Sequence, residues 1–190
     1  MVRGVQKIRD REARKLTRTD ADIKQAVKAW CGEWEWDYDQ EKVVCKVPGD
    51  PVAAEAQYGH ISEWRTEQVT DMNNLFIDMS EFNEDLSGWD VSAVTNMRFM
   101  FYNARSFNQD LSAWNVSAVT DMWSMFQDAS SFNQDLSRWD VSAVNNMECM
   151  FLNAWSFNQD LSGWDVSAFN NMNCMFYNAS SLANRPRWYK

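Results

Sequence analysis

Histidine is nearly absent from this 190-residue chain: His60 is the only one. A single imidazole leaves few routes to histidine-based catalysis or to a histidine-ligated metal. Three prolines and six glycines exclude collagen-like and linker-like chains. No apolar run approaches the ~18 residues that a membrane-spanning helix needs. Four cysteines with no C-x-x-C spacing carry no zinc signature. Basic residues are scarce where the chain is longest. Residues 57–181 hold four Arg against sixteen acids, net −12. Such a body repels nucleic acid, whose phosphates need Lys and Arg to neutralise them. It attracts cations or basic partners instead. The flanks differ: residues 1–18 carry +5, 19–56 carry −5 and 182–190 carry +3.

What is present in quantity is large apolar side chains: eleven Trp, eleven Phe and eleven Met, enough to fill a sizeable core. They recur with a fixed step. Trp64, Trp89, Trp114, Trp139 and Trp164 are each 25 residues apart, and so are Met72 to Met172 and Phe76 to Phe176. Five units follow: 57–81, which is degenerate, then 82–106, 107–131, 132–156 and 157–181. In the last four, 14 of 25 columns are identical. A period of this length marks a repeat architecture in which each unit buries its apolar side only against its neighbours.

Within a unit, Leu86, Trp89, Val91 and Val94 read L-x-x-W-x-V-x-x-V. Trp89 and Val91 alternate with Asp90, as in a short strand. Val94, Met97, Met100, Phe101 and Ala104 then form one stripe at helical or 3₁₀ spacing, with Ser92 at the N-cap position. The unit is expected to be a short parallel strand, then a short helix or 3₁₀ segment, then a polar turn. The stack is expected to be a repeat solenoid. The string L-x-x-W-x-V-x-x-V is similar to the leucine-rich repeat signature. FNQDLSAWNVSAVTDMWSMFQDASS at 107–131 resembles the 25/26-residue repeats of bacterial surface proteins, of the Mycoplasma and Listeria lipoprotein type and grouped with BspA-like leucine-rich repeats. AVKAW at 26–30 and AEAQYGHISEW at 54–64 resemble the lead-in to such repeats. The resemblance implies a leucine-rich-repeat-like fold and a cell-surface or extracellular place, in a family most of whose members are known only as surface proteins of uncharacterised role. A non-catalytic role in protein interaction or surface display is the expectation from the residues. Against that place, no apolar core of a secretory signal follows the N-terminal basic residues.

Residues 1–18 read as a solvated basic tail in preference to a nucleic-acid or anionic-surface arm. Residues 19–56 read as an N-terminal cap: a helix over 20–31 with Thr19 as N-cap, and a hairpin over 33–47 around Asp39-Gln40-Glu41. Pro48-Gly49-Asp50-Pro51 is a turn cluster. Residues 182–190 are a partial repeat or a C-terminal cap, with Trp188 placed to fold over the last unit.

Candidate sites follow from the columns. Asp85, Asp110, Asp135 and Asp160 recur once per unit, and so do Asp90, Asn115, Asp140 and Asp165. Turn aspartates commonly accept local backbone N–H groups, and this is the favoured reading. Metal binding between successive carboxylates of the Asp85 column is the weaker one. Asn83, Asn108, Asn133 and Asn158 are expected to stack amide on amide. Cys149 and Cys174 share a column on adjacent units, either bridged or free, and Cys31 and Cys45 flank the hairpin with the same two options. The columns of Arg98 and Arg105 vary from unit to unit, and so does that of Tyr102. Arg98, Tyr102, Trp123, Trp155 and Tyr177 are the candidate anchors for a partner, joined by the acidic column of Asp90, Asp140 and Asp165. No cofactor motif occurs. His60 has no nucleophile partner evident in the sequence, so the chain reads as non-catalytic, binding an unidentified and preferentially basic macromolecule, or as a spacer or cation-stabilised matrix protein.

Overall fold

The computed structural model describes residues 16–37, 42–168 and 171–189, and for 33–37 and 42–48 the backbone alone. The regular elements assigned among the described residues all lie before residue 69. In order they are β1 (Thr17–Thr19), α1 (Ile23–Cys31), β2 (Gly32–Asp37), β3 (Lys42–Pro48), α2 (Pro51–Tyr58), a 3₁₀ turn (Ile61–Glu63) and β4 (Arg65–Gln68). β1 pairs with β4 in parallel. β2 and β3 are antiparallel, with a register shift between Glu33 and Trp34. The expected hairpin apex, Asp39-Gln40-Glu41, lies outside the described residues.

α1 forms because Ile23, Ala26, Val27 and Trp30 fall at i, i+3, i+4 and i+7, and all four are buried. It starts later than Asp20 because Asp20 and Asp22 are engaged elsewhere. Asp22 accepts the Thr19 N–H at 2.8 Å and pairs with Arg18 at 2.8 Å. Gly32 ends the helix with φ 94°, a conformation few other residues adopt at low cost. α2 begins at Pro51, and the Asp50 carboxylate accepts the Ala53 N–H at 2.9 Å.

Residues 16–18 belong to the fold and not to a solvated tail. Leu16 packs on the core. Arg18 is 2% exposed, with its guanidinium 5.3 Å from the Tyr58 ring and 5.2 Å from the Trp64 ring. Its burial is tolerated because two aromatic faces and the Asp22 carboxylate surround the charge.

From residue 69 to 189 the described residues form no helix, no 3₁₀ segment and no strand. Each 25-residue unit is a rung built of tight turns. In the second rung the turns close at Trp89 N–H to Leu86 O, Val94 to Val91, Met100 to Met97, Tyr102 to Phe99, Ala104 to Phe101 and Phe107 to Ala104. The expected helix over 94–104 is absent for a backbone reason. Phe99 and Asn103 have φ of 53° and 56°, and a left-handed residue every fourth position breaks a right-handed helix.

The freed groups bond between rungs. The N–H groups of Met97, Phe99, Phe101 and Asn103 donate to the carbonyls of Asp121, Trp123, Met125 and Gln127 at 2.8–2.9 Å. The N–H groups of Met100, Tyr102 and Ala104 close the turns, and that of Arg98 donates to its own rung's Asn96 Oδ1 at 3.1 Å. Every N–H from 97 to 104 is thereby paired. The ladder is polar: along this face donors point towards the C-terminal rung and acceptors towards the N-terminal one. Parallel pairing persists as single bridges joining Asp71, Asn96, Asp121, Asn146 and Asn171 in turn.

The core is two phenylalanine columns and a tryptophan column. Phe76, Phe101, Phe126, Phe151 and Phe176 stack at 5.4–5.7 Å with planes within 7°. The second column, Phe82 to Phe157, lies beside it, with Phe101 and Phe107 only 4.0 Å apart. Each tryptophan reaches back one rung: Trp114 Nε1–H donates to Leu86 O, Trp139 to Leu111 O and Trp164 to Leu136 O. A buried indole thereby finds its partner without breaking the stack. Trp188 continues the column, 6.3 Å from Trp164 and donating to Leu161 O.

The asparagine column differs from the expected amide stacking. Asn83 Oδ1 accepts the backbone N–H of Asn108, Asn108 that of Asn133, and Asn133 that of Asn158. A backbone donor that would otherwise be unpaired outcompetes a neighbouring side-chain amide.

Candidate functional site

The turn face between Asn96 and Ala104 is also where the rungs differ in sequence. Two of its columns are held at positive φ. One is Asp78, Asn103, Asp128, Asn153 and Asn178, residue types that tolerate this conformation. Their side chains form a ladder, Asn103 Nδ2 donating to Asp78 Oδ1 at 2.9 Å and Asn153 Nδ2 to Asp128 Oδ1 at 2.7 Å. The other is Asn74, Phe99, Ser124, Cys149 and Cys174. Phe99 has no intrinsic preference for φ 53°. Its N–H on Trp123 O (2.9 Å) and its carbonyl under the Tyr102 N–H (3.2 Å) hold it there.

This geometry aims Phe99 outward beside Tyr102 and Trp123. The Phe99 ring lies 4.8 Å from that of Trp123 and 5.8 Å from that of Tyr102. The three line a groove of about 440 Å³ with Ile77 and Leu152, and Glu148 and Cys149 belong to the same lining. The Arg98 guanidinium sits 4.5 Å from the Trp123 ring, and its Nε lies 3.6 Å from Asp121 Oδ2. Carboxylates lie near the rings: Glu148 in the lining, and Asp78 and Asp128 close enough to act on Tyr102. Burial pushes the Tyr102 phenol up, and Asp128 and Asp78 push it further. Burial also raises the Asp78 carboxyl, against the hydrogen bond from Asn103. Glu148 Oε2 accepts from Asn171 Nδ2 at 2.9 Å.

Of the expected anchors, the groove brings together Tyr102 and Trp123, with Arg98 over the indole. Trp123 is half-buried, not a freely outward side chain, because Phe99 and Arg98 cover it. Trp155 and Tyr177 are 57% and 60% exposed and lie outside the groove lining. So do Asp90, Asp140 and Asp165, which sit on the stretch after each tryptophan. Each accepts the N–H of the serine two residues on, at 2.9–3.1 Å. Bonding to that serine's hydroxyl and N–H holds their carboxyls below the ordinary aspartate range. Ser92 is therefore a donor to Asp90 and caps no helix. Asp85, Asp110, Asp135 and Asp160 make the same turn with Ser87, Ser112, Ser137 and Ser162 at 2.8–2.9 Å. Among the described residues no three His, Cys, Asp or Glu are placed to share a metal ion.

Phe99 is the aromatic groove residue that sequence reasoning missed, along with Ile77. The Phe99 column varies from Asn to Phe to Ser to Cys, a signal as strong as that of the Arg98 column, but a helical projection sets it about 100° from the column of Arg98 and Trp123. His60 does have a hydroxyl neighbour: Ser62 Oγ is 2.8 Å from Nδ1. The same nitrogen accepts the Ser62 N–H at 3.3 Å and caps the 3₁₀ turn, while the ring packs edge-on against Trp30 at 5.0 Å. A smaller cleft of about 180 Å³ lies where the cap meets the first rung, between Trp30, Cys31, Met79 and Phe82. Burial there pushes the Cys31 thiol up to about 12, with Glu84 adding to it. Cys45's side chain lies outside the described residues. No described helix is long and apolar enough to cross a membrane.

A repeat built this way, with constant core columns and a variable outer face, defines a repeat protein. The family described as "Mycoplasma protein of unknown function, DUF285" matches residues 52–129 and, in tandem, 111–188. The chain belongs to that family. No curated protein and no solved structure matches it.

Proposed function

We propose that the chain is a non-catalytic binding scaffold: a leucine-rich-repeat-like solenoid of the BspA-like surface-protein type, whose turn-face groove holds a basic segment of a protein partner. The observation that carries the reading is the aromatic floor of Phe99, Tyr102 and Trp123 with Glu148 in the same lining, Asp78 and Asp128 acting on the Tyr102 phenol and Asp121 paired with Arg98 at its edge. An aromatic face beside carboxylates suits an arginine or lysine side chain, and Arg98 over Trp123 is an internal example of that pairing. The net charge of −12 over residues 57–181 adds long-range attraction for such a partner. Core columns are nearly constant while these positions differ from rung to rung, as a recognition face requires.

The test is calorimetric titration with a short arginine-rich peptide, with an acidic peptide of equal length as control. Affinity for the basic peptide should fall as salt shortens the Debye length below about 10 Å. A salt-resistant remainder should disappear with Trp123→Ala and persist with Trp155→Ala. Equal binding of both peptides, or binding indifferent to Trp123→Ala, removes the groove from the interface.

A further inference from the structure

The last two rungs share a feature that no other pair has. Column neighbours Cys149 and Cys174 are the only cysteines in the five rungs, and they occupy adjacent ones. Both have φ of 55°, so the same backbone conformation presents both side chains. The Cys149 N–H donates to Asn173 O at 2.9 Å, and that of Phe151 to Met175 O at 2.9 Å, which sets the two backbones side by side. Two residues on, the Phe151 and Phe176 rings are 5.7 Å apart. Rung spacing of that size lies inside the range of about 4.4–6.8 Å between Cα atoms that a disulfide spans. Both are thiols in this structure, Cys149 half-buried and Cys174 exposed.

The joint they straddle is also where packing weakens. Met97, Met122 and Met147 are fully buried and Val91, Val116 and Val141 nearly so, whereas Met172 and Val166 of the fifth rung are half-buried. The N–H groups of Cys174, Phe176 and Asn178 have no partner among the described residues, unlike their counterparts Cys149, Phe151 and Asn153 one rung earlier. A terminal unit with unpaired donors and a half-buried core opens first.

We propose that Cys149 and Cys174 are a redox modification site, a dithiol that reacts with a low-molecular-weight disulfide to staple the fifth rung to the fourth. The exposed Cys174, as thiolate, attacks one sulfur of oxidised glutathione. That S–S bond breaks and one glutathione thiolate leaves. Cys149 then loses its proton to solvent, and its thiolate attacks Cys174 Sγ and displaces the second glutathione thiolate. Two protein thiols are oxidised to one disulfide, and one glutathione disulfide is reduced to two thiols. The order follows from exposure. Burial first, then Cys174 and Glu148, push the Cys149 thiol up, so it is the slower to ionise. Parallel side chains must approach to about 3.5–4.5 Å between Cβ atoms. The fifth rung, less tightly packed than the others, is the partner that can move.

The full chain should be equilibrated in oxidised and in reduced glutathione and then cleaved at methionine. Cys149 is released in Glu148–Met150 and Cys174 in Asn173–Met175, because Met147 and Met172 precede them. In the oxidised sample these two fragments should be covalently linked. The intact chain should melt higher than the reduced one by roughly 10 °C, the scale expected for closing a loop of this length in a chain of this size. Amide exchange at Phe176 and Asn178 should slow. Cys149→Ser and Cys174→Ser should each fold, since Ser124 already occupies this column at φ 53°. Each should carry a glutathione adduct on the remaining thiol and gain nothing in melting temperature. Glutathione adducts on both cysteines without a linked fragment overturn the proposal. So do thiols left unreacted in the oxidising buffer, and a linked fragment with unchanged melting.

Discussion

The two ends of the rung stack meet the same physical demand unequally. At the N-terminal end the first rung has no predecessor, and other parts of the chain stand in for one. Deeper in the stack the Thr95 N–H donates to Thr70 O and the Thr120 N–H to Thr95 O. Thr70 has no carbonyl before it, so its N–H donates to Asp20 Oδ1 at 2.7 Å, and the same oxygen accepts the Asp71 N–H at 3.1 Å. β1 pairs with β4, and Trp30 meets Trp64 edge-on at 6.4 Å. At the C-terminal end, Trp188 and Tyr189 cover the Trp164 and Phe176 rings. The backbone donors beneath them stay unpaired among the described residues. Ring stacking closes a hydrophobic edge without satisfying its amides, and the N-terminal cap does both.

The largest test of that contrast is truncation. Removing residues 1–31 takes away β1, Asp20 and the buried face of α1, and should leave a chain that aggregates on light scattering. Removing 182–190 should give a soluble monomer that melts lower. Truncation of 1–18 alone lies between, because Leu16, Thr17 and Arg18 are part of the cap. A stable, monomeric 32–190 fragment would show that α1 closes nothing.

A smaller effect separates the two terminal tryptophans. Trp64 is buried, stacked on Trp89 at 6.0 Å and bonded through Nε1–H to Gly59 O. Trp64→Ala should cost roughly 3–5 kcal/mol in chemical denaturation, the range for removing a large core side chain. Trp188 makes the same kind of stack and hydrogen bond but is only half-buried. Trp188→Ala should cost about half as much. Equal losses would mean that the two ends are equally closed.

The smallest effect is acid sensitivity. Burial alone would raise the Asp20 carboxyl, but the Thr70 hydroxyl, the Thr70 and Asp71 N–H groups and Lys24 outweigh it, and its pKa is lowered. A lowered carboxylate pKa contributes stability that is complete above the unfolded value, about 3.9. That stability is lost as pH falls through the folded value. The melting temperature should therefore be flat near neutrality and drop below about pH 4, more shallowly in Asp20→Asn. Asp85 and Asp110, held low by Ser87 and Ser112, contribute with the same sign. A melting curve that rises on acidification would contradict this linkage.

Much of the rung was legible in the sequence. The 25-residue step placed the Trp, Met and Phe columns inside, and all but Met172 of those from Trp64 to Phe176 are buried. The local reading of residues 94–104 went astray because apolar residues at i, i+3, i+6, i+7 and i+10 fit a helix and a run of three-residue turns equally well. Side-chain spacing reports which residues face inward but not which carbonyl each N–H will choose. Phe99 was missed for that reason, since its direction depends on a positive φ that its own chemistry does not favour. Residues 16–18 read as the end of a tail because the segment 1–18 is basic and has no apolar stripe, and only Tyr58, Trp64 and Asp22, brought together from elsewhere in the chain, make the burial of Arg18 tolerable.

The period, the columns that form the core and the aspartates that close local turns can be read from the residues alone, because each follows from side-chain type at short range. Tertiary structure decided the rest. Whether Phe99 N–H bonds within its own turn or to Trp123 O, and whether Asp20 caps a rung fifty residues away, depends on a neighbouring chain being present to accept or donate. Backbone hydrogen bonds between rungs are made by groups every residue carries, so no residue type announces them. They exist only once the stack has formed.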